Sequence, residues 1–124
     1  MVGIRISVTP SDVLEMIQSL QNTTSPERPE PAILSHPAHG TILSGWNMST
    51  ENPHADDVTA ILLNTIETTR RIGGKSLVEH CPPEIKTKFD VWGDIGNSII
   101  TMKRIKKHYD PERILNPGRF VGGI

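Results

Sequence analysis

The feature that most constrains this chain is a change of period at its ninth residue. Residues 2–8 read V-G-I-R-I-S-V, with Val2, Ile4, Ile6 and Val8 on one side and Gly3, Arg5 and Ser7 on the other. That alternation is the mark of a strand buried on one face. Thr9 and Pro10 interrupt it, and Val13, Leu14, Ile17 and Leu20 then recur at helical spacing. Thr9 suits an N-cap, Pro10 the first helical position and Asp12 the positive end, so a helix is expected from here to about Asn22. A strand with one apolar face and a helix with one apolar stripe have to cover each other, which already selects a sheet with helices packed on it.

The same grammar repeats. TTSPERPEP at 23–31 has three prolines and no apolar side chain, and it reads as a surface loop. Residues 32–35 and 41–46 are short apolar runs separated by HPAHG at 36–40, two neighbouring strands joined by a turn. Asn52 and Pro53 are placed to start a second helix whose inner face is Val58, Leu62, Thr65, Thr69 and Ile72, and Gly73 and Gly74 stop it. Residues 76–79 form a fourth strand, short and at an edge, and residues 81–93 are irregular, with Phe89, Val91 and Trp92 packing. Asp94 is expected to cap a third helix with Ile95, Ile99, Met102, Ile105 and Tyr109 inward; Asp110 and Pro111 end it. The order β-α-β-β-α-β plus a C-terminal helix and tail is an α+β class, a ferredoxin-like split β-α-β antiparallel sheet with helices on one face. A single domain over 1–124 is expected.

Charge and cysteine content exclude several functions. Thirteen Lys and Arg against fourteen Asp and Glu leave a formal charge of -1, so the attraction behind nonspecific nucleic-acid or anionic-membrane binding is missing. Cys81 is the single cysteine, which forbids an intramolecular disulfide and fits a reducing compartment. No apolar run is long enough for a signal peptide or a membrane span, and a cytoplasmic protein without membrane insertion is expected.

Few residues advertise chemistry. His36 and His39 share a turn while His54 and His80 lie elsewhere, with no His-Glu-x-x-His and no cysteine pair; polar turn residues are a better reading than a metal site. His80 precedes Cys81 on an extended segment, where adjacent side chains point apart, so it is poorly placed as a base for that thiol. Lysines and arginine at 103–107 complement the negative end of a helix. No Gly-x-Gly-x-x-Gly or Gly-x-x-x-x-Gly-Lys-Ser/Thr occurs, and the chain thus lacks a recognisable pyrophosphate cradle. No catalytic residue is assigned. The tail, YDPERILNPGRF at 109–120, is unusual for a terminus. Ile114 and Leu115 are expected to bury, and Asn116, Pro117 and Gly118 to form a rigid turn with an amide at its apex.

"MKRIKKHYDPERILNPGRFVGGI" resembles the C-terminal signature of FAD-linked oxidases of the vanillyl-alcohol oxidase type. "GGKSLVEHCPPEIKTKFDVWGD" and the closing GRFVGGI resemble the E subunit of glycolate oxidase, and "RISVTPSDV" is similar to the opening of that family's cap domain. The resemblance implies a cap that covers a flavin ring and shapes the substrate pocket, with an FAD-binding domain or subunit as partner. It also implies a small 2-hydroxy acid as substrate. With no flavin domain ahead of Met1, this chain is expected to bind FAD weakly or not at all by itself, and to be inactive without that partner. Asn116, Pro117, Gly118 and Arg119 would meet the cofactor, with Phe120 packed beside them. Related subunits carry a His-Ala-Gly-Asn-Gly-like turn facing the pocket; here His36 and Gly40 align with it, and Pro37, Ala38 and His39 do not. His36 and Gly40 are therefore the substrate-pocket candidates. The rival from another class is a non-enzymatic ferredoxin-like module that binds a ligand or a partner chain. An apolar surface shaped for a missing domain would also favour a homodimer.

Overall fold

In the computed structural model, residues 1–23, 30–47 and 55–124 are described. They form two compact units, Met1–Gly93 and Asp94–Ile124.

The first unit is built on four strands, β1 (Val2–Ser7), β2 (Ala32–His36), β3 (Thr41–Trp46) and β4 (Lys75–His80). They pair antiparallel throughout in the order β2-β3-β1-β4. The connections β1-α1-β2 and β3-α2-β4, with α1 at Val13–Gln21 and α2 at Ala55–Arg71, make this the split β-α-β arrangement. Val2, Ile4 and Ile6 are buried on one face of β1 and meet Trp46, Ser44 and Ile42 across β3. Val13, Met16 and Leu20 of α1 and Val58, Ile61 and Leu62 of α2 join the same core. Each such aliphatic side chain contributes about 1.5–3 kcal/mol on full burial, which is why the strand and helix periods had to cooperate.

Helix ends follow local chemistry. Thr9 precedes a single 3-10 turn, Pro10–Asp12, and its hydroxyl donates to the Asp12 carboxylate at 2.5 Å before α1 begins. α2 ends in a Schellman motif, in which Gly74 N–H donates to Thr69 O and Gly73 N–H to Arg70 O while Gly73 takes φ 75°. Along its inner face the Thr65 and Thr69 hydroxyls donate to Ile61 O and Thr65 O, so two buried polar groups are satisfied within the helix. The proposed cap of α2 at Asn52 and Pro53, and most of the loop from Thr23, lie outside the described residues. β4 runs one residue further at each end than its apolar core suggests and carries a bulge opposite Gly3 and Ile4. Residues 81–93 contain one short helix, α3 (Pro83–Lys86), after which Val91 O accepts from Val78 N–H at 2.9 Å and partly closes the outer edge of β4. Phe89 and Val91 pack on the core.

The second unit holds α4, Ser98–Tyr109, and the tail. It corrects the sequence reading in three places. Asp94 does not cap the helix: its carboxylate accepts the Gly96 N–H at 2.8 Å in the preceding turn, and Asn97 is the N-cap residue. Ile105 and Tyr109 are exposed, because the half-buried stripe is Ile99, Met102 and Lys106, rotated from the one expected. Ile114 and Leu115 do not bury; they are 75% and 60% exposed. Among the described residues no helix is long and apolar enough to cross a membrane.

Candidate functional site

Because both helices of the first unit cover the same face of the sheet, the alternate residues of every strand are left on the other face. The register places them in rows. One row across the four strands is Ala32, Gly45, Gly3 and His80; the next is Leu34, Leu43, Arg5 and Leu77; the third is His36, Thr41, Ser7 and Lys75. The first row has almost no side chain at its centre. Together with Leu34 and Leu43 it floors and walls an open, mainly apolar trough of about 340 Å3.

The two glycines at its floor are not demanded by the backbone. A Cβ built at Gly3 would come no closer than 3.8 Å to the His80 side chain, and at Gly45 no closer than 3.5 Å to Val2 O, both ordinary contacts. Gly40 and Gly74 behave differently, since a Cβ there would lie 1.9 Å from Val8 O and 2.7 Å from a Val8 methyl. Glycine inside a strand weakens it by about 0.5–1 kcal/mol relative to alanine. Where the fold has room for a Cβ, what glycine preserves is the empty space above the sheet.

Polar groups stand at one end of this space. Arg5 Nη2 pairs with Glu79 Oε1 at 2.5 Å, and Glu79 and His80 both line the trough. The bulge in β4 is what brings His80 opposite Gly3 while Leu77 stays opposite Arg5.

His36 is the last residue of β2, on the open face and exposed. The Pro37–His39 3-10 turn follows, and Gly40 closes it in the left-handed region at φ 63°. Gly40 O accepts from Val8 N–H at 2.9 Å, which ties the turn to the end of β1. His36 and Gly40 thus frame one turn, with the histidine solvent-facing and the glycine buried. His39 and His80 do not converge with His36 on a shared point; among the described residues no three His, Cys, Asp or Glu side chains group as a metal site would require. Cys81 is half-buried, and burial pushes its thiol above the ordinary range despite the nearby Lys86.

In the second unit the tail is exposed over residues 111–120 yet anchored at its base. The buried Asp110 carboxylate accepts the N–H groups of Ile114 and Leu115 at 3.0 and 3.1 Å. Lys106 Nζ pairs with that carboxylate at 2.5 Å and also donates to Leu115 O at 2.6 Å. The Lys106 ammonium, bonded to Asp110, together with the two backbone donors, holds the carboxyl below the ordinary range. Beyond this anchor Asn116 takes φ 46° and Gly118 φ 70°, and Arg119 N–H donates to Asn116 O at 3.2 Å. Asn116, Pro117, Gly118 and Arg119 therefore form a tight exposed turn whose root is fixed. Lys106, read from the sequence as part of a solvated basic face, is the residue that fixes it.

Sequence reasoning passed over Gly3, Gly45 and Arg5. The signal was present as two glycines inside otherwise regular strand patterns, but their facing each other is a matter of register.

The family model for FAD linked oxidases, C-terminal domain, matches residues 6–120. No curated protein and no solved structure matches the chain.

Proposed function

The chain belongs to the FAD linked oxidase C-terminal domain family, and from that premise we propose that it is the cap of an FAD-dependent 2-hydroxy-acid oxidoreductase of glycolate oxidase type. The single observation that carries this reading is the sheet of the first unit: among its described residues, helices cover one face, and the other keeps a glycine-floored trough open. A flat, nearly side-chain-free floor fits a planar ring or a substrate approached from above. It does not fit a pyrophosphate, which needs convergent backbone N–H groups, and the sequence offers no glycine-rich loop leading into a helix.

In this reading an FAD-binding domain or subunit would hold the cofactor's adenine and pyrophosphate, and the bound flavin would supply hydride-accepting chemistry for the substrate α-carbon, the hydroxyl proton leaving to solvent. This chain's residues do the rest from one side. The sheet floors the pocket from one side, and His36, beside the Gly40 turn, stands on the same open face two rows from the trough's glycine floor. Asn116, Pro117, Gly118 and Arg119 present a preset turn to the flavin domain, with no ordering of a loose tail left for the moment of binding. Exposed Tyr109, Ile114, Leu115 and Phe120 belong to that contact, and in its absence they favour self-association.

The test has two arms. Titrating the purified chain with FAD is expected to leave the flavin absorption and fluorescence spectra unchanged, whereas tight stoichiometric quenching would refute a separate flavin domain. Mixing it with the flavin-binding polypeptide of the same source is expected to give a yellow complex in which a 2-hydroxy acid bleaches the flavin only when this chain is present. Equal bleaching without the chain would remove its role as the cap.

A further inference from the structure

The two edges of the first unit's sheet are built differently. β4, on one side, is guarded: Lys75 and Glu79 put charges on it, a bulge interrupts its register, and Val91 O takes one of its outward N–H groups. β2, on the other, pairs with β3 alone, in unbroken register over Ala32–His36. It carries no formal charge and no bulge, and among the described residues no backbone bond reaches its outer side. Alternate N–H and C=O groups of β2 therefore point away from the sheet, an arrangement that natural edges usually blunt. Both flanks of this edge are apolar. Leu34, 58% exposed, stands on the open face. On the helix side α1 packs on β3 and α2 on β4, so the flank of α1 away from α2 is the one above β2. Glu15, Ser19 and Asn22 share a groove with α2, which leaves Leu14, 65% exposed, and Ile17 on that free flank.

We infer that β2 pairs antiparallel with β2 of a second copy of this chain, about a two-fold axis at Leu34, so that two four-stranded sheets become one. The occupant is another copy because the segment is complementary to itself. Pro31 and Pro37 stand three residues to either side of Leu34, and a proline has no N–H to give a ladder, so pairing is confined to the five residues between them. Centred there, Leu34 faces Leu34, Ile33 faces Ser35 and Ala32 faces His36, with no like charges opposed. Glu30 then lies diagonal to His36 of the second copy, a carboxylate beside an imidazole at each end of the ladder. The same axis brings the free α1 flanks of the two copies together over the helix side. It also relocates a side chain. Within one chain His36 lies two rows from the glycine row of the trough, whereas His36 of the second copy stands at the end of that row, beyond Ala32.

The pairing needs no flavin partner, and the full chain alone is sufficient to test it. Five residues a side with their flanks fall at the small end of specific interfaces, under about 1,200 Å2, so sedimentation velocity is expected to show a monomer–dimer equilibrium with a Kd of about 1–100 µM. Leu34→Lys and Leu34→Glu each remove the central apolar pair and set like charges face to face, and each should weaken the dimer at least about tenfold. An equal mixture of the two variants should regain association, because position 34 meets itself only in this register. Hydrogen exchange at the outward-pointing amides of β2 should slow as the parent chain is concentrated. A parent chain that stays monomeric, a dimer that Leu34→Lys leaves intact, or a mixture that fails to associate would overturn the inference. So would outward β2 amides already protected in the dilute monomer, since the chain's own segments would then cover the edge. Should the charged variants fail to fold, exchange in the parent chain decides by itself.

Discussion

Gly40 offers the sharpest test of how the turn between β2 and β3 is built, because the structure separates two reasons for a glycine that usually coincide. At Gly40, φ is 63°, and a Cβ would sit 1.9 Å from Val8 O. At Gly73, φ is 75°, and a Cβ would have nothing within 4 Å. Both alanine variants bear the left-handed penalty of about 1–2 kcal/mol, relieved in both by the roughly 0.4–1 kcal/mol that alanine removes from the entropy of the unfolded chain. Only Gly40→Ala must also push the Val8 carbonyl away. That movement strains the neighbouring Val8 N–H···O Gly40 bond of 2.9 Å, whose loss costs about 1 kcal/mol, and residual crowding adds to it. Gly73→Ala should therefore cost about 1 kcal/mol and Gly40→Ala at least about 2 kcal/mol. Equilibrium urea unfolding followed by circular dichroism reads the difference as a lower midpoint at unchanged slope. If the two variants fall within about 0.5 kcal/mol of each other, the close approach of the turn to β1 is not what demands glycine, and the argument that this turn is held rigid fails.

Three further outcomes follow from the same geometry. Gly3→Ala and Gly45→Ala should leave the unfolding free energy unchanged or raise it by up to about 0.5–1 kcal/mol, while lowering turnover in the proposed complex with a flavin-binding partner; a destabilised protein with normal turnover would contradict the view that these positions guard space. Asp110 has its folded-state carboxyl lowered by Lys106 and two backbone N–H groups, so its contribution is present above the unfolded-state pKa and is lost as pH falls through the folded one. Hydrogen-exchange protection at Ile114 and Leu115 should accordingly drop on acidification, and Asp110→Asn should show the reduced protection already at neutral pH; protection equal to the parent's would dismiss the anchor. Cys81, whose thiol burial pushes upward, should react with iodoacetamide at neutral pH more slowly than free cysteine, and faster alkylation would restore it as a candidate nucleophile.

Much of the fold could be read along the chain. The period-two run at residues 2–8, the helical stripes and the Gly73 stop are local patterns, and the order β-α-β-β-α-β follows from them, as does the packing of Phe89 and Val91. The tail was legible in part. Asp110 and Pro111 mark the helix end, and the turn at residues 116–118 carries its own dihedral signature. The burial expected of Ile114 and Leu115 failed, because apolar character alone does not say whether a partner surface exists within the same unit. The stripe of α4 was misplaced because Lys106, a charged residue that propensity sends outward, is drawn to the Asp110 carboxylate.

Sequence alone indicated the type and order of the elements, since propensity and periodicity act over a few neighbouring residues, but not every start: α4 begins at Ser98 rather than directly after Asp94. Tertiary structure decided which residues share a point in space. Gly3 and Gly45 lie far apart along the chain and become Cα partners only through the β1–β3 register, and His80 reaches the same row only through a bulge. Cross-strand register is set by the simultaneous burial of the opposite face, where Ile4, Ile6, Ile42 and Trp46 must all enter one core. The open face of this sheet is thus specified by residues pointing away from it.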